Sequence, residues 1–170
     1  MIGLAGWSGA GKTTLLTRVI PRLVERGLTV STLKHAHHAF DLDQPGKDSY
    51  EHRQAGATEV LIGSAARWAL MHELRGAPEA SLAELLTRLS PVDLVIVEGF
   101  KREPHVKLEV HRAAVGKPLL APDDPAIVAI ASDVSLSARV PVVSLDDIDT
   151  IADILVRHAA PLDAVAARPG

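Results

Sequence analysis

The chain contains no cysteine. Disulfides, iron–sulfur ligation and thiol nucleophiles are thereby excluded, and a reducing, cytoplasmic setting is expected. Aromatic residues amount to 3% of the sequence, too few for the stacking platform of a single-stranded nucleic-acid binder. The core must therefore be built from Leu, Val, Ile and Ala. A charge excess is lacking as well. With 18 basic and 21 acidic residues the net charge is −3, so neither nucleic acid nor an acidic membrane is expected as a partner. No apolar run reaches bilayer-spanning length. Met1 to Ala5 has no basic start, so no secretory signal is expected there.

What is present fits one ordinary domain. The 170 residues, 47% of them hydrophobic, are enough for one substantial core. A single domain over residues 1–160 is expected, with 161–170 as a disordered tail. Short apolar runs alternate with segments of helical period, which indicates an α/β fold with a mostly parallel sheet flanked by helices. Strands are expected at Ile2 to Ala5, Leu28 to Leu33, Asp93 to Val97, His105 to His111, Ala126 to Ala131 and Val140 to Val143. The His105 to His111 strand reads as alternating. Glu59 to Ile62 and Arg67 to His72 read as an antiparallel hairpin extension. Helices are expected from Lys12 to Arg26, Asp48 to Gln54, after Ser81, and from Asp146 to Arg157. Pro21 should bend or divide the first of these, and Gly27 should stop it.

Gly6-Trp7-Ser8-Gly9-Ala10-Gly11-Lys12-Thr13 satisfies the P-loop pattern G-x-x-x-x-G-K-[ST] and lies between a strand and an amphipathic helix. A triphosphate needs several unobstructed donors converging on it. The glycines let consecutive N–H groups turn inward, and the helix start adds free N–H groups and the positive end of its dipole. Lys12 supplies a mobile charge for the β- and γ-phosphates, and the Thr13 hydroxyl can ligate Mg²⁺. Ser8, Gly9, Ala10, Gly11 and Thr14 complete the phosphate contacts. The chain is thus read as a P-loop NTPase fold binding a nucleotide as its Mg²⁺ complex.

An acidic residue at the end of a neighbouring buried strand usually orients the Mg²⁺, and Glu98 occupies that position after Leu94-Val95-Ile96-Val97. Asp93 opens the same strand and should lie at the far end of the sheet. The polar segment Lys34 to Lys47 leaves the carboxyl end of a strand, where ligands of open α/β sheets bind. Asp43 or Asp48 is a candidate second Mg²⁺ ligand. His35, His37 and His38 form either a transition-metal site or surface and anion-contacting groups. Lys34, Arg53 and Lys101 are further cations that could meet a phosphate. Asp133 follows a strand, where its carboxylate could accept both guanine N–H groups or merely start a turn.

Three stretches together, GWSGAGKTTL, LKHAHHAFDLDQPGKDSYEHRQAGA and VIVEGFK, resemble the MobB family of molybdopterin-guanine dinucleotide biosynthesis adaptor proteins. The resemblance covers roughly residues 1 to 157 and implies a GTP-binding protein of the SIMIBI type. It implies weak GTPase activity, a homodimer, and a MobA-type nucleotidyltransferase as partner, with a molybdopterin-related ligand nearby. Gly9 to Thr14 would hold the GTP phosphates and Glu98 would be the Walker B carboxylate. Asp43 and Asp48 would lie in a switch-like loop near Mg²⁺. Two other functions compete. A small-molecule kinase would use Asp43 or Glu98 as base, although no arginine-bearing lid is visible. A nickel-delivery GTPase would use the histidine cluster.

Overall fold

Ile2–Ala5, four consecutive buried residues, forms β1 in the interior of a six-stranded sheet. The remaining strands are β2 (Val30–Lys34), β5 (Leu94–Glu98), β6 (Lys107–His111), β7 (Ile127–Ser132) and β8 (Val142–Ser144), with the hairpin strands β3 (Glu59–Gly63) and β4 (Trp68–His72) forming a separate pair. The helices are α1 (Lys12–Glu25), α2 (Asp48–Gln54), α3 (Leu82–Leu86) and α4 (Ile148–His158). The large sheet has the order β2-β5-β1-β6-β7-β8 and every pairing in it is parallel. The computed structural model describes residues 1–36 and 40–162; His37, His38 and most of the expected tail lie outside the described residues. The chain forms two compact units, Met1–His35 with Leu82–Gly170, and Ala36–Ser81.

In the first unit, both faces of the sheet are covered. Leu15, Leu16, Val19 and Leu23 of α1 and Ile151, Ala152 and Leu155 of α4 pack with Leu4, Ile96, Leu108 and Ala129 on one face. Leu82 and Leu86 of α3 pack with Leu33, Val95 and Val97 on the other. Arg18 and Arg22 of α1, and Arg26 just beyond it, pair with Asp146, Asp149 and Asp153 beside them. Such exposed pairs fix the register of the two helices more than they stabilise them. Asp147 caps α4 by accepting from the Thr150 amide at 3.1 Å.

Helix α1 runs unbroken through Pro21, so of the expected bend or division the division does not occur. Its buried stripe holds the helix on the sheet despite the missing N–H. It ends in a Schellman motif. The Leu28 amide reaches the Leu23 carbonyl at 3.2 Å and the Gly27 amide reaches Val24 at 2.9 Å. That closure delays β2 to Val30. Thr29 is also occupied, since its amide and hydroxyl both donate to Asp93 at 2.8 and 2.6 Å. These bonds hold the Asp93 carboxyl below its usual range and place it at the start of β5, as expected.

Strand β6 differs from its alternating reading, because Lys107 to Val110 are all buried. Lys107 is neutralised by Asp124, Nζ to Oδ2 2.8 Å. Glu109 is fully buried and accepts from the Leu120 and Ala121 amides, each at 2.8 Å. Both side chains thus tie the connection between β6 and β7 to the strand. Among the described residues no helix is long and apolar enough to cross a membrane.

The second unit contains α2 and the antiparallel hairpin, in which Leu61 pairs with Leu70 and Gly63 with Trp68. Arg53 organises it. The guanidinium meets Asp41 at 2.8 and 2.9 Å, Glu73 at 2.8 Å and Asp43 at 3.3 Å, and lies 5.6 Å from the Tyr50 ring centre. The Arg53 bonds, with backbone help, pull the Asp41 carboxyl below its usual range.

Candidate functional site

A parallel sheet brings all its strand ends to one edge, and the register shows which ends are neighbours. Leu4 and Lys34 both pair with Glu98, Ala5 pairs with Glu109, and Ser132 pairs with His111 and Ser144. The loop Gly6 to Gly11, Lys34-His35, Glu98 to Lys101, Arg112 and Asp133 therefore leave the same edge of the sheet. This is the edge where ligands of open α/β sheets bind.

The loop after β1 is shaped as a cradle. Gly6 has φ +147°, and a Cβ there would stand 2.5 Å from the Val110 carbonyl oxygen. Only glycine permits this approach to β6. The Ala10 amide closes the loop onto Trp7 at 3.2 Å. Helix α1 then starts at Lys12 with no side-chain cap, so its first amides are not spent on a capping side chain. Ser8, Gly9, Thr13 and Thr14 are exposed, while Ala10 is buried and anchors the turn.

Lys12 lies folded over the cradle, with Nζ donating to the Gly6 carbonyl at 3.0 Å and to the Trp7 carbonyl at 3.1 Å. Its pKa is lowered, first by burial and further by the charges of Lys101 and Lys34, with Glu98 opposing. The donor set suits the phosphates of a nucleotide, because a glycine-rich turn, an uncapped helix start with two exposed threonines and a confined ammonium adjoin one another. Thr13 and Glu98 are oxygen donors of this sheet edge that could hold Mg²⁺.

Glu98 is half-buried at the end of β5, and its carbonyl accepts the His35 amide at 2.8 Å. The turn that follows is strained. Gly99 has φ +100° and Phe100, a non-glycine residue, has φ +49°. A Cβ at Gly99 would meet His35 Cβ at 2.6 Å, and the Phe100 and His35 rings lie 4.7 Å apart. His35 is thus a packing partner of this turn. Among the described residues no three His, Asp or Glu side chains gather as a metal-binding group.

Asp133 has a local role. Its Oδ1 accepts the Ala113 amide at 2.9 Å, and Oδ2 lies 3.9 Å from Arg112. Beside it, Ser132, Val134, Leu136, Val142 and Ser144 line a cavity of about 310 Å³ at the ends of β7 and β8. Asp43 and Arg53 belong to the second unit, where Asp43 also accepts from Ser49 Oγ at 2.8 Å. Asp48 opens α2 in the same unit.

Sequence reasoning missed three residues. Arg112 approaches Gly11, with Nη2 3.3 Å from where a Cβ would stand. The Trp7 indole donates to the Pro118 carbonyl at 2.8 Å and has Lys101 and Lys117 over it, 5.3 and 5.8 Å from its ring centre. For Arg112 a signal existed, since it directly follows the buried strand β6. For Trp7 and Lys117 only the folded arrangement supplies one.

A glycine cradle between the first strand of a parallel sheet and its helix, with a folded-in lysine and a strand-end carboxylate, defines a P-loop protein. The family profile described as "Molybdopterin guanine dinucleotide synthesis protein B" matches residues 1–133. The molybdopterin-guanine dinucleotide biosynthesis adapter protein of Escherichia coli (strain K12) is 43% identical over 159 residues, covering 92% of this chain and 91% of that protein. The protein of the same name from Haemophilus influenzae is 38% identical over 156 residues, covering 91% and 86%. A crystal structure of molybdopterin-guanine biosynthesis protein B superimposes with a TM-score of 0.73 at 28% identity, covering 92% of this chain and 97% of that one. The chain belongs to the MobB family.

Proposed function

We propose that this chain is a GTP-binding adapter in the biosynthesis of molybdopterin guanine dinucleotide, acting beside a MobA-type nucleotidyltransferase in the cytoplasm. Family membership supports the pathway, and the cradle supports nucleotide binding. The observation that carries the second part is Lys12, whose ammonium rests on the carbonyls of Gly6 and Trp7. Ser8 to Thr14 would bind the phosphates, and Thr13 with Glu98 would hold the Mg²⁺, which would supply charge neutralisation to the triphosphate. For Asp43 and Asp48 the Mg²⁺ role rests on family resemblance. Asp133 and the cavity beside it are the candidate base site. Guanine recognition there requires Asp133 to release the Ala113 amide or to share its carboxylate.

A homodimer is part of the same reading. It is supported by the exposed apolar side chains of the hairpin, where Leu61 and Leu70 face each other across the strands. Weak hydrolysis belongs to the same reading and rests on the family resemblance.

Calorimetric titration with Mg·GTP and with Mg·ATP tests the nucleotide assignment. Binding of GTP at least tenfold tighter than ATP is expected, as is a loss of about 100-fold or more in Lys12→Ala, because charge-assisted contacts to phosphate are removed. Preference for ATP would move a small-molecule kinase to the front.

A further inference from the structure

We propose that Lys101 is the residue that distinguishes a bound nucleoside triphosphate from a diphosphate, and that Trp7 stores its ammonium while the terminal phosphate is absent. The inference rests on the nucleotide reading above and deepens it.

Trp7 engages both lysines at once. Its backbone carbonyl holds the Lys12 ammonium at 3.1 Å, and its ring holds Lys101 Nζ at 5.3 Å. The ring itself is fixed by the bond from its Nε1 to Pro118 at 2.8 Å. Two ammonium groups are thus held over one residue of the cradle. Among the described residues Lys101 has no ion-pair partner. Such an arrangement is relieved by an anion arriving between the two charges.

The position of Lys101 favours the distal end of that anion. It comes from the strained turn after Glu98, the carboxylate that would hold Mg²⁺ on the reading above. The turn is fixed by Gly99 and Phe100 against His35, so the Lys101 backbone stays in place while its four-carbon side chain swings. A cation–π contact at a partly exposed ring is weaker than a charge-assisted contact with a phosphate oxygen. A γ-phosphate therefore draws Lys101 off the indole, whereas a diphosphate leaves it there. Lys117, 5.8 Å from the same ring centre on a different loop, stays with the indole.

The test uses the full chain carrying Trp68→Phe, so that emission reports Trp7 alone. Mg·GDP and the Mg²⁺ complex of β,γ-imido-GTP are titrated by calorimetry and by fluorescence. The triphosphate analogue should change Trp7 emission and GDP should not. Lys101→Ala should weaken the analogue about tenfold and GDP less than about twofold, and abolish the emission change. Lys101→Gln should behave in the same way, and Lys101→Arg should keep the preference. Equal losses for both ligands, or no loss for either, would overturn the proposal while leaving the cradle standing. Absence of binding by the Trp68→Phe protein to both nucleotides would remove the nucleotide reading and this proposal together.

Discussion

At Gly6 a single missing methyl group decides whether the cradle exists. The atom that a Cβ would strike is the Val110 carbonyl oxygen, part of a strand paired on both sides and unable to retreat. Gly6→Ala should cost about 2 kcal/mol of stability, through overlap and a backbone angle alanine avoids. It should weaken Mg·GTP binding by more than about tenfold, because the donors lose their convergence. Melting and calorimetry on the same preparation check both, and unchanged affinity would separate the loop from the phosphates. The glycine and lysine spacing made this loop legible, since few other structures require that pattern. Trp7 was not legible in the same way. Its place in the pattern is a free position, and the cations above it come from residues 94 and 110 positions further along the chain. Nor did anything local announce that Phe100 adopts φ +49°.

Elements were readable wherever one local pattern dominated. Ile2–Ala5 and Asp48–Gln54 have the expected bounds, and the hairpin lies where its two apolar runs and the turn near Gly63 put it. Boundaries shifted where a cap competed with a strand, as at Leu28 and Thr29, which close α1 and bind Asp93 instead of joining β2. The pattern failed at β6 for a different reason. Lys107 and Glu109 look like the solvent face of an alternating strand, yet their partners Asp124, Leu120 and Ala121 lie on the connection that covers them. The C-terminal closure of α1 offers a test at this scale. Gly27 has φ +83° with no atom within 4 Å of a would-be Cβ, so Gly27→Ala carries only the conformational cost. A loss of about 1 kcal/mol is expected in chemical denaturation, with Mg·GTP affinity unchanged. A loss of affinity would mean that the far end of α1 communicates with its nucleotide end.

For the whole molecule, the buried His105 ring makes stability depend on pH. Both its nitrogens are buried without a hydrogen-bond partner, and the ring lies directly over Gly3. Burial pushes its pKa down to about 4, with Lys107 and the α-amino group adding to the shift and Asp124 opposing it. The folded chain therefore holds this imidazole neutral while the unfolded chain protonates it near pH 6.5. Its contribution is complete above pH 6.5, declines as the pH falls, and is gone below about 4. Between pH 7 and 4.5 the wild type should lose roughly 2 kcal/mol more than His105→Leu. Parallel denaturation curves for the two proteins would refute this. The strand order has a consequence for how the chain is made. Strands β1 and β2 are not neighbours; both wait for β5, and β1 needs β6 as well. On a ribosome adding about 5–20 residues each second, the strand that carries the cradle has no partner for roughly 5–20 s, until the chain through Glu98 has emerged. During that interval Ile2 to Ala5 is an apolar segment open to wrong partners. The nucleotide site is thus synthesised early and assembled late.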